Sequence, residues 1–295
     1  MSFPPDASGP DPADDDAYGL SEPEERPAPS VPDVVPAYVR AKLGQRERQA
    51  PPPLRPPRRP MIDGTLIFPF YPCALAAWTI ITCGLVFSGY LLLVLWGPAA
   101  QLGMLGLRVM GPPAFGATLM TLAYAFTACL KVIEGTSYGH DSVECEPDLN
   151  WKEWSYSFAY VVFLVMQAGA VGMVVKIVAL SEPWWPMAAV TWALLPWALL
   201  GSLAAQGAWV PLAIGDVVRS FPALWRQWAL FYLQTTAIAL VWVVLTLGGL
   251  RLAPWLMPLY SAPLLAAGLL IYARLVGRLA WCIAEQLKKE SGVRS

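Results

Sequence analysis

The stretch that decides the fold is CALAAWTIITCGLVFSGYLLLVLW, residues 73–96, in which no side chain carries a charge. A helix rises about 1.5 Å per residue, so a run of this length crosses the hydrocarbon core of a bilayer, which is about 30 Å thick. A transmembrane strand would need about 10 residues that alternate in polarity, and this run does not alternate. The stretch is therefore predicted to be a transmembrane helix.

Five further apolar runs follow along the chain and resemble the first in length. They are residues 112–133, 155–180, 186–206, 228–247 and 255–289. The chain is 56% hydrophobic and only 14% charged, which is far from the composition of soluble proteins. The predicted fold is an all-α integral membrane protein, in which residues 61–290 form a domain of six transmembrane helices.

The N-terminal tail, residues 1–60, has a different composition. It holds 15 of the 29 prolines and almost no large apolar residues, so it is predicted to be disordered. Residues 1–33 carry nine acids and one arginine, whereas residues 34–60 carry seven basic residues and one acid. Such a tail is expected to contact a soluble protein partner, with the basic part close to the membrane.

The tail ends in PPPLRPPRRP, residues 51–60. A run so rich in proline favours the extended polyproline II helix. It is either a stiff linker or a ligand for a peptide-binding domain. Its arginines, Arg55, Arg58 and Arg59, are also predicted to attract anionic lipid headgroups.

The positive charges predict the orientation. With both termini in the cytoplasm, 17 of the 20 Lys and Arg residues lie on the cytoplasmic side or at its interface. Only Arg108, Lys176 and Arg251 then fall on the outer side. Because Lys and Arg concentrate on the cytoplasmic side of membrane proteins, we predict N-in/C-in topology.

The connector of residues 134–154, EGTSYGHDSVECEPDLNWKEW, is the most polar stretch between two apolar runs. It holds the single histidine and six of the 21 acids. His140 and Cys145 are types that bind metal, but a structural zinc site needs four ligands at recognisable spacing. We therefore expect no metal and no other cofactor here. Asn150 and Glu153 instead fit a capping box for the third transmembrane helix.

The sequence has no recognisable catalytic constellation. Any Ser-His-Asp arrangement would have to use His140, and G-x-S-x-G, H-E-x-x-H and G-x-x-x-x-G-K motifs are absent. We therefore expect a protein that is not an enzyme.

Two arginines, Arg274 and Arg278, lie one turn apart on the sixth helix, with Glu285 two turns farther on. They are predicted to anchor the helix at the inner headgroups, the alternative being a cation–carboxylate cluster at the same interface.

A second group of polar residues lies at mid-depth and is predicted to form hydrogen bonds between helices. These residues are Gln167, Gln234, Thr235 and Thr236. Pro196 is predicted to kink the fourth helix, and Gly169 and Gly172 to allow close helix packing.

Several phrases together resemble a known family. They include DGTLIFPF at 63–70, E-x-T-x-x-G-x-D-x-V-E at 134–144, DVVRSFPALWRQWALFYLQT at 216–235 and YARLVGRLAW at 272–281. The chain resembles an uncharacterised family of polytopic membrane proteins of planctomycete-type bacteria. The resemblance implies a multi-pass protein of the bacterial cytoplasmic membrane.

Many members of that family carry an N-terminal zinc ribbon, which this chain lacks, so no nucleic-acid partner is expected. Within the connector phrase, Glu134, Thr136, Gly139 and Asp141 match the family, and they are the candidate functional residues. His140 stands where the family pattern has a small polar residue.

The leading functional hypothesis is a non-enzymatic scaffold or assembly component that recruits cytoplasmic partners through residues 1–60. The alternative is a transporter or lipid-handling protein with a path through the six-helix bundle. A membrane enzyme is the third hypothesis.

Overall fold

The computed structural model describes residues 60–96, 104–139, 151–178, 184–204 and 214–290. They all belong to one compact unit, residues 53–295. Every regular element among the described residues is helical, which confirms the predicted all-α class. The predicted disorder of residues 1–60 falls outside the described residues except at Pro60, which lies in a turn. The predicted division between tail and membrane domain stays a prediction.

Seven α-helices occur in the described part of the chain. They are α1 (Pro72–Trp96), α2 (Met104–Ser137), α3 (Trp151–Val178), α4 (Trp185–Ala204), α5 (Ile214–Ala223), α6 (Trp225–Leu252) and α7 (Met257–Glu290). Short 3-10 helices precede α1, at Phe68–Phe70, and α7, at Pro254–Leu256. All but α5 are long and apolar enough to cross a membrane, so the six predicted spans are confirmed.

The largest difference from the predicted bounds concerns α2. It begins at Met104 rather than residue 112 and includes Pro112 and Pro113. Proline favours the first turn of a helix, which suggested a start at residue 112. The helix instead begins in the preceding stretch, which is also apolar, and continues through both prolines. The other spans differ from the predicted bounds by at most five residues at either end.

The short helix α5 was not predicted. Its ten residues are amphipathic, with Val217 and Ser220 buried and Val218 and Phe221 exposed. A helix of this kind packs one face on the protein and leaves the other toward the membrane interface. It lies in the connector between the fourth and fifth transmembrane helices.

Helices α2 and α7 are the most buried of the six spans. Helices α1, α2 and α7 pack against one another, α3 packs on α2 and pairs with α4, and α6 packs on α7. Glycine permits the closest crossings. A Cβ added to Gly172 would lie 2.7 Å from the Met187 carbonyl oxygen of α4, which confirms the predicted close packing at that residue.

The predicted hydrogen bonds between helices are wrong for two of the four mid-depth residues, Thr235 and Thr236. The hydroxyls of Thr235 and Thr236 donate to carbonyls of their own helix, at Phe231 and Tyr232. Helical threonines commonly satisfy their hydroxyl in this way, which removes the need for a partner on another helix. The Gln234 amide does reach outside its helix and donates to the Met61 carbonyl at 3.2 Å.

Pro196 lies inside α4, as expected, and α6 supports the backbone beside it. The Tyr232 hydroxyl donates to the Ala193 carbonyl at 2.7 Å and accepts a hydrogen bond from the Trp197 indole at 2.7 Å. Tyr232 thus ties α4 and α6 together next to the proline, where the helical hydrogen-bond ladder is interrupted.

Candidate functional site

The four candidate connector residues do not form one site. Asp141 lies outside the described residues. Glu134 is exposed near the end of α2, whereas Thr136 is 2% exposed and Gly139 is half-buried. The chain thus places Thr136 and Gly139 against protein and Glu134 toward solvent or lipid headgroups.

Thr136 and Gly139 hold the end of α2 against α7. The Thr136 hydroxyl donates to the Val132 carbonyl at 2.6 Å and lies where a Cβ on Gly277 would overlap it. Gly139 has a φ of +82°, a left-handed conformation that favours glycine and ends the helix. A Cβ at Gly139 would lie 3.2 Å from the Trp281 indole nitrogen. These two residues therefore serve helix packing.

The predicted capping box and metal-ligand types cannot be placed. Asn150, His140 and Cys145 lie outside the described residues, so both interpretations of that connector stay predictions. Within the part of the chain that the structure describes, no group of three or more His, Cys, Asp or Glu residues could hold a metal ion.

The prediction for Arg274 and Arg278 is wrong, and its correction defines the main site. Both side chains are buried, at 1% and 3% exposure, instead of reaching the headgroups. They lie on the face of α7 that is covered by residues 60–71, which we call the pre-helix segment. The segment folds back against the bundle before α1 begins.

Arg278 binds the start of the pre-helix segment. One of its terminal nitrogens, Nη1, has three acceptors within hydrogen-bond distance, which share its two hydrogens: the Pro60 carbonyl, the Asp63 carbonyl at 2.7 Å and the Thr65 hydroxyl oxygen at 2.9 Å. Hydrogen bonds from a charged donor contribute about 1.5–3 kcal/mol each, more than neutral ones. Arg278 therefore holds three points of one short loop at once.

Arg274 contacts two aromatic rings in the later part of the same segment. Its guanidinium carbon lies 4.4 Å from the centre of the Phe68 ring and 5.4 Å from that of Tyr71. The negative face of an aromatic ring attracts a cation at this range, by about 2 kcal/mol where water is excluded. The two arginines and the pre-helix segment together form what we call the arginine clamp.

The loop has a conformation that suits the clamp. Gly64 has a φ of +67°, and the Thr65 hydroxyl donates to the Met61 carbonyl at 3.3 Å. Met61, Thr65 and Phe68 are all buried. The sequence signal that could have revealed this site is DGTLIFPF, a turn followed by aromatic residues, together with two arginines on one face of an apolar helix.

A groove lies beside the clamp, at the end of the bundle where α2 and α4 end. We call this end the inner end, after the predicted orientation. The cavity measures about 730 Å³, within the range of small-molecule sites. Most of its wall is apolar and comes from α2, α4, α5 and α7. Its polar lining includes Glu134, Ser137, Tyr138, Trp281 and Glu285.

A smaller cavity of about 370 Å³ lies on the other side of Glu134, between α2 and α3. Lys131 and Lys152 line it together with Glu134, Glu153 and Tyr156. Glu134 thus lies between two cavities. The groove has a mostly apolar wall whose charged residues are acids, whereas the smaller cavity is lined by both acids and lysines.

Comparison with known proteins adds no identity: no family model, no curated protein and no solved structure matches this chain. The resemblance to the polytopic planctomycete-type family therefore stays a prediction. The six apolar helices by themselves identify the chain as a multi-pass integral membrane protein.

Proposed function

We propose that this protein is a membrane scaffold whose N-terminal tail, residues 1–60, contacts soluble partners from a fixed position on the bundle. The observation that supports this most directly is the arginine clamp. Through Arg278, the clamp holds Pro60, the residue at which the tail joins the described bundle.

The free-energy cost of burying the two arginines supports the idea that the tail must start from a fixed position. Burying two cations carries a large desolvation penalty, which hydrogen bonds and ring contacts only offset. A tail that merely needed tethering could join α1 through any polar linker at the membrane surface. A chain that buries Arg274 and Arg278 to hold its pre-helix segment instead gives the tail a defined starting point and direction.

The test is crosslinking in cells. A photo-reactive amino acid at Tyr18 or Tyr38 should capture one or more soluble proteins, and Arg278→Gln should reduce the yield or change the crosslinked set. Arg251→Gln is the matched control, because Arg251 is an exposed cation at the far end of α6. Capture no higher than background from both tail positions would reject the scaffold.

The inner groove supports a second candidate, a transporter or lipid-handling protein. A cavity of about 730 Å³ with carboxylates at its edge can admit a small amphiphile from the inner side. Solute or lipid flux in liposomes that contain the purified protein tests this. Flux that Glu134→Gln or Asp141→Asn abolishes would favour transport, and flux equal to that of empty liposomes would exclude it.

Both proposals rely on the predicted orientation, which has its own test. With N-in/C-in topology, Cys145 faces the cytoplasm. An impermeant thiol reagent should therefore label Cys145 in permeabilised cells and leave it unlabelled in intact cells. Labelling of Cys145 in intact cells would reverse the orientation.

A further inference from the structure

The groove at the inner end has a chemistry that suits one particular kind of peptide. Its acids, Glu134 and Glu285, lie near two aromatic side chains, Tyr138 and Trp281, in an otherwise apolar wall. Grooves lined by aromatic rings bind proline-rich segments in the polyproline II conformation, whose shape is preformed. Carboxylates at the edge of such a groove add affinity for arginine.

A peptide of this kind occurs in the chain itself, directly before the clamp. Residues 53–59, PLRPPRR, contain three prolines and the three arginines Arg55, Arg58 and Arg59. We call them the proline–arginine segment.

The clamp brings this segment within reach of the groove. Pro60 is hydrogen-bonded to Arg278, and Glu285 lies seven residues farther along α7 on the same face, about 10 Å away. Seven residues of polyproline II span about 20 Å. The segment is therefore long enough to follow α7 from Arg278 past Glu285.

We propose that the proline–arginine segment docks in the inner groove, with its arginines against Glu134 and Glu285 and its prolines against Tyr138 and Trp281. Charge complementarity favours this occupant over the two connectors that adjoin the groove. Residues 140–150 carry four acids, which Glu134 and Glu285 would repel, and residues 205–213 carry no charge. Docking would also withdraw the three arginines from anionic lipid headgroups.

Trypsin provides the test, because it cleaves poorly before proline. In this segment only the Arg58–Arg59 bond is a good site, since Arg55 and Arg59 each precede a proline. The Arg48–Gln49 bond, upstream of the segment, serves as an internal reference. The full-length protein is digested in nanodiscs of phosphatidylcholine, which carry no net charge, and mass spectrometry gives both initial rates. A synthetic peptide of residues 41–64 gives the same ratio for an undocked chain.

Docking predicts that cleavage at Arg58, relative to Arg48, is about tenfold slower in the protein than in the peptide, because proteolysis follows the population of the open form. Glu285→Gln and Tyr138→Ala should each return the ratio toward that of the peptide. Glu153→Gln, an inner-end acid outside the groove, should leave it unchanged.

Two results would overturn the proposal. A ratio equal to that of the free peptide would mean that the segment is not docked. Protection that persists in both Glu285→Gln and Tyr138→Ala would mean that the membrane surface alone shields the bond. Because no partner or transported solute enters the measurement, its outcome is independent of the function proposed above.

Discussion

Two seven-residue stretches of the bundle have opposite surroundings. Residues 239–245 of α6, ALVWVVL, are almost all exposed, whereas residues 273–279 of α7, ARLVGRL, are all buried. The purely apolar stretch faces the lipid, and the stretch with two arginines lies inside the protein. In a membrane protein the lipid is as apolar as leucine, so hydrophobicity does not decide which helix becomes central. A charge restricts where its helix face can lie, because lipid tails cannot solvate it.

The largest expected effect on stability comes from removing Arg278 from the buried stretch of α7. Arg278→Met should lower the free energy of unfolding by about 3–5 kcal/mol, because the acceptors of Pro60, Asp63 and Thr65 lose a charged donor whose hydrogen bonds contribute about 1.5–3 kcal/mol each. Reversible unfolding in mixed micelles measures this. Arg251→Met, at an exposed position, is the control and should stay within about 0.5 kcal/mol of wild type. Equal loss in both variants would contradict the clamp.

The converse change places an arginine on the lipid-facing stretch. Leu240 is 61% exposed near the middle of α6. Leu240→Arg should cost about 3 kcal/mol, the penalty for an arginine at the centre of a bilayer. The fraction of protein that integrates into the membrane measures the effect, and Leu240→Ala is the control. Normal integration of Leu240→Arg would indicate that a partner, not lipid, covers this face.

A smaller effect is expected where α7 crosses α2. A Cβ at Gly277 would overlap the Thr136 hydroxyl and lie 2.7 Å from the Ile133 carbonyl oxygen, so Gly277→Ala should cost about 2 kcal/mol. Gly248→Ala is the matched control, because nothing lies within 4 Å of its added Cβ. Adding Thr136→Ala to Gly277→Ala should restore only part of the stability, since the carbonyl contact remains. Unchanged stability in Gly277→Ala would contradict the crossing.

The smallest expected effect on stability comes from shortening one valine on α7 and one on α6. Val276 on α7 is 0% exposed and Val244 on α6 is 58% exposed. Val276→Ala should cost about 1–2 kcal/mol, because it leaves a cavity between helices, whereas Val244→Ala should change stability by less than about 0.5 kcal/mol. The same unfolding assay compares them. Similar losses at both positions would show that α6 packs against another surface in the assay.

The candidate site was predictable only in part. The connector phrase led to Glu134, Thr136 and Gly139, and two of these hold α2 against α7 instead of binding a ligand. The clamp was missed because arginines near the end of a membrane helix usually extend to the headgroups. Their orientation depends on residues 60–71, more than 200 positions away along the chain. Helical periodicity does not predict which distant residues will contact a helix.

The number of spans and the all-α class follow from the sequence alone, because an unbroken apolar run must satisfy its backbone hydrogen bonds internally as a helix in lipid. Which helices are central, and which residues meet, required the tertiary structure. The pairing of Arg278 with Pro60 and of Arg274 with Phe68 reflects the cost of exposing a cation to lipid. A cation avoids that cost either by reaching the headgroups or by binding groups inside the protein, and only the tertiary structure determines which of the two occurs.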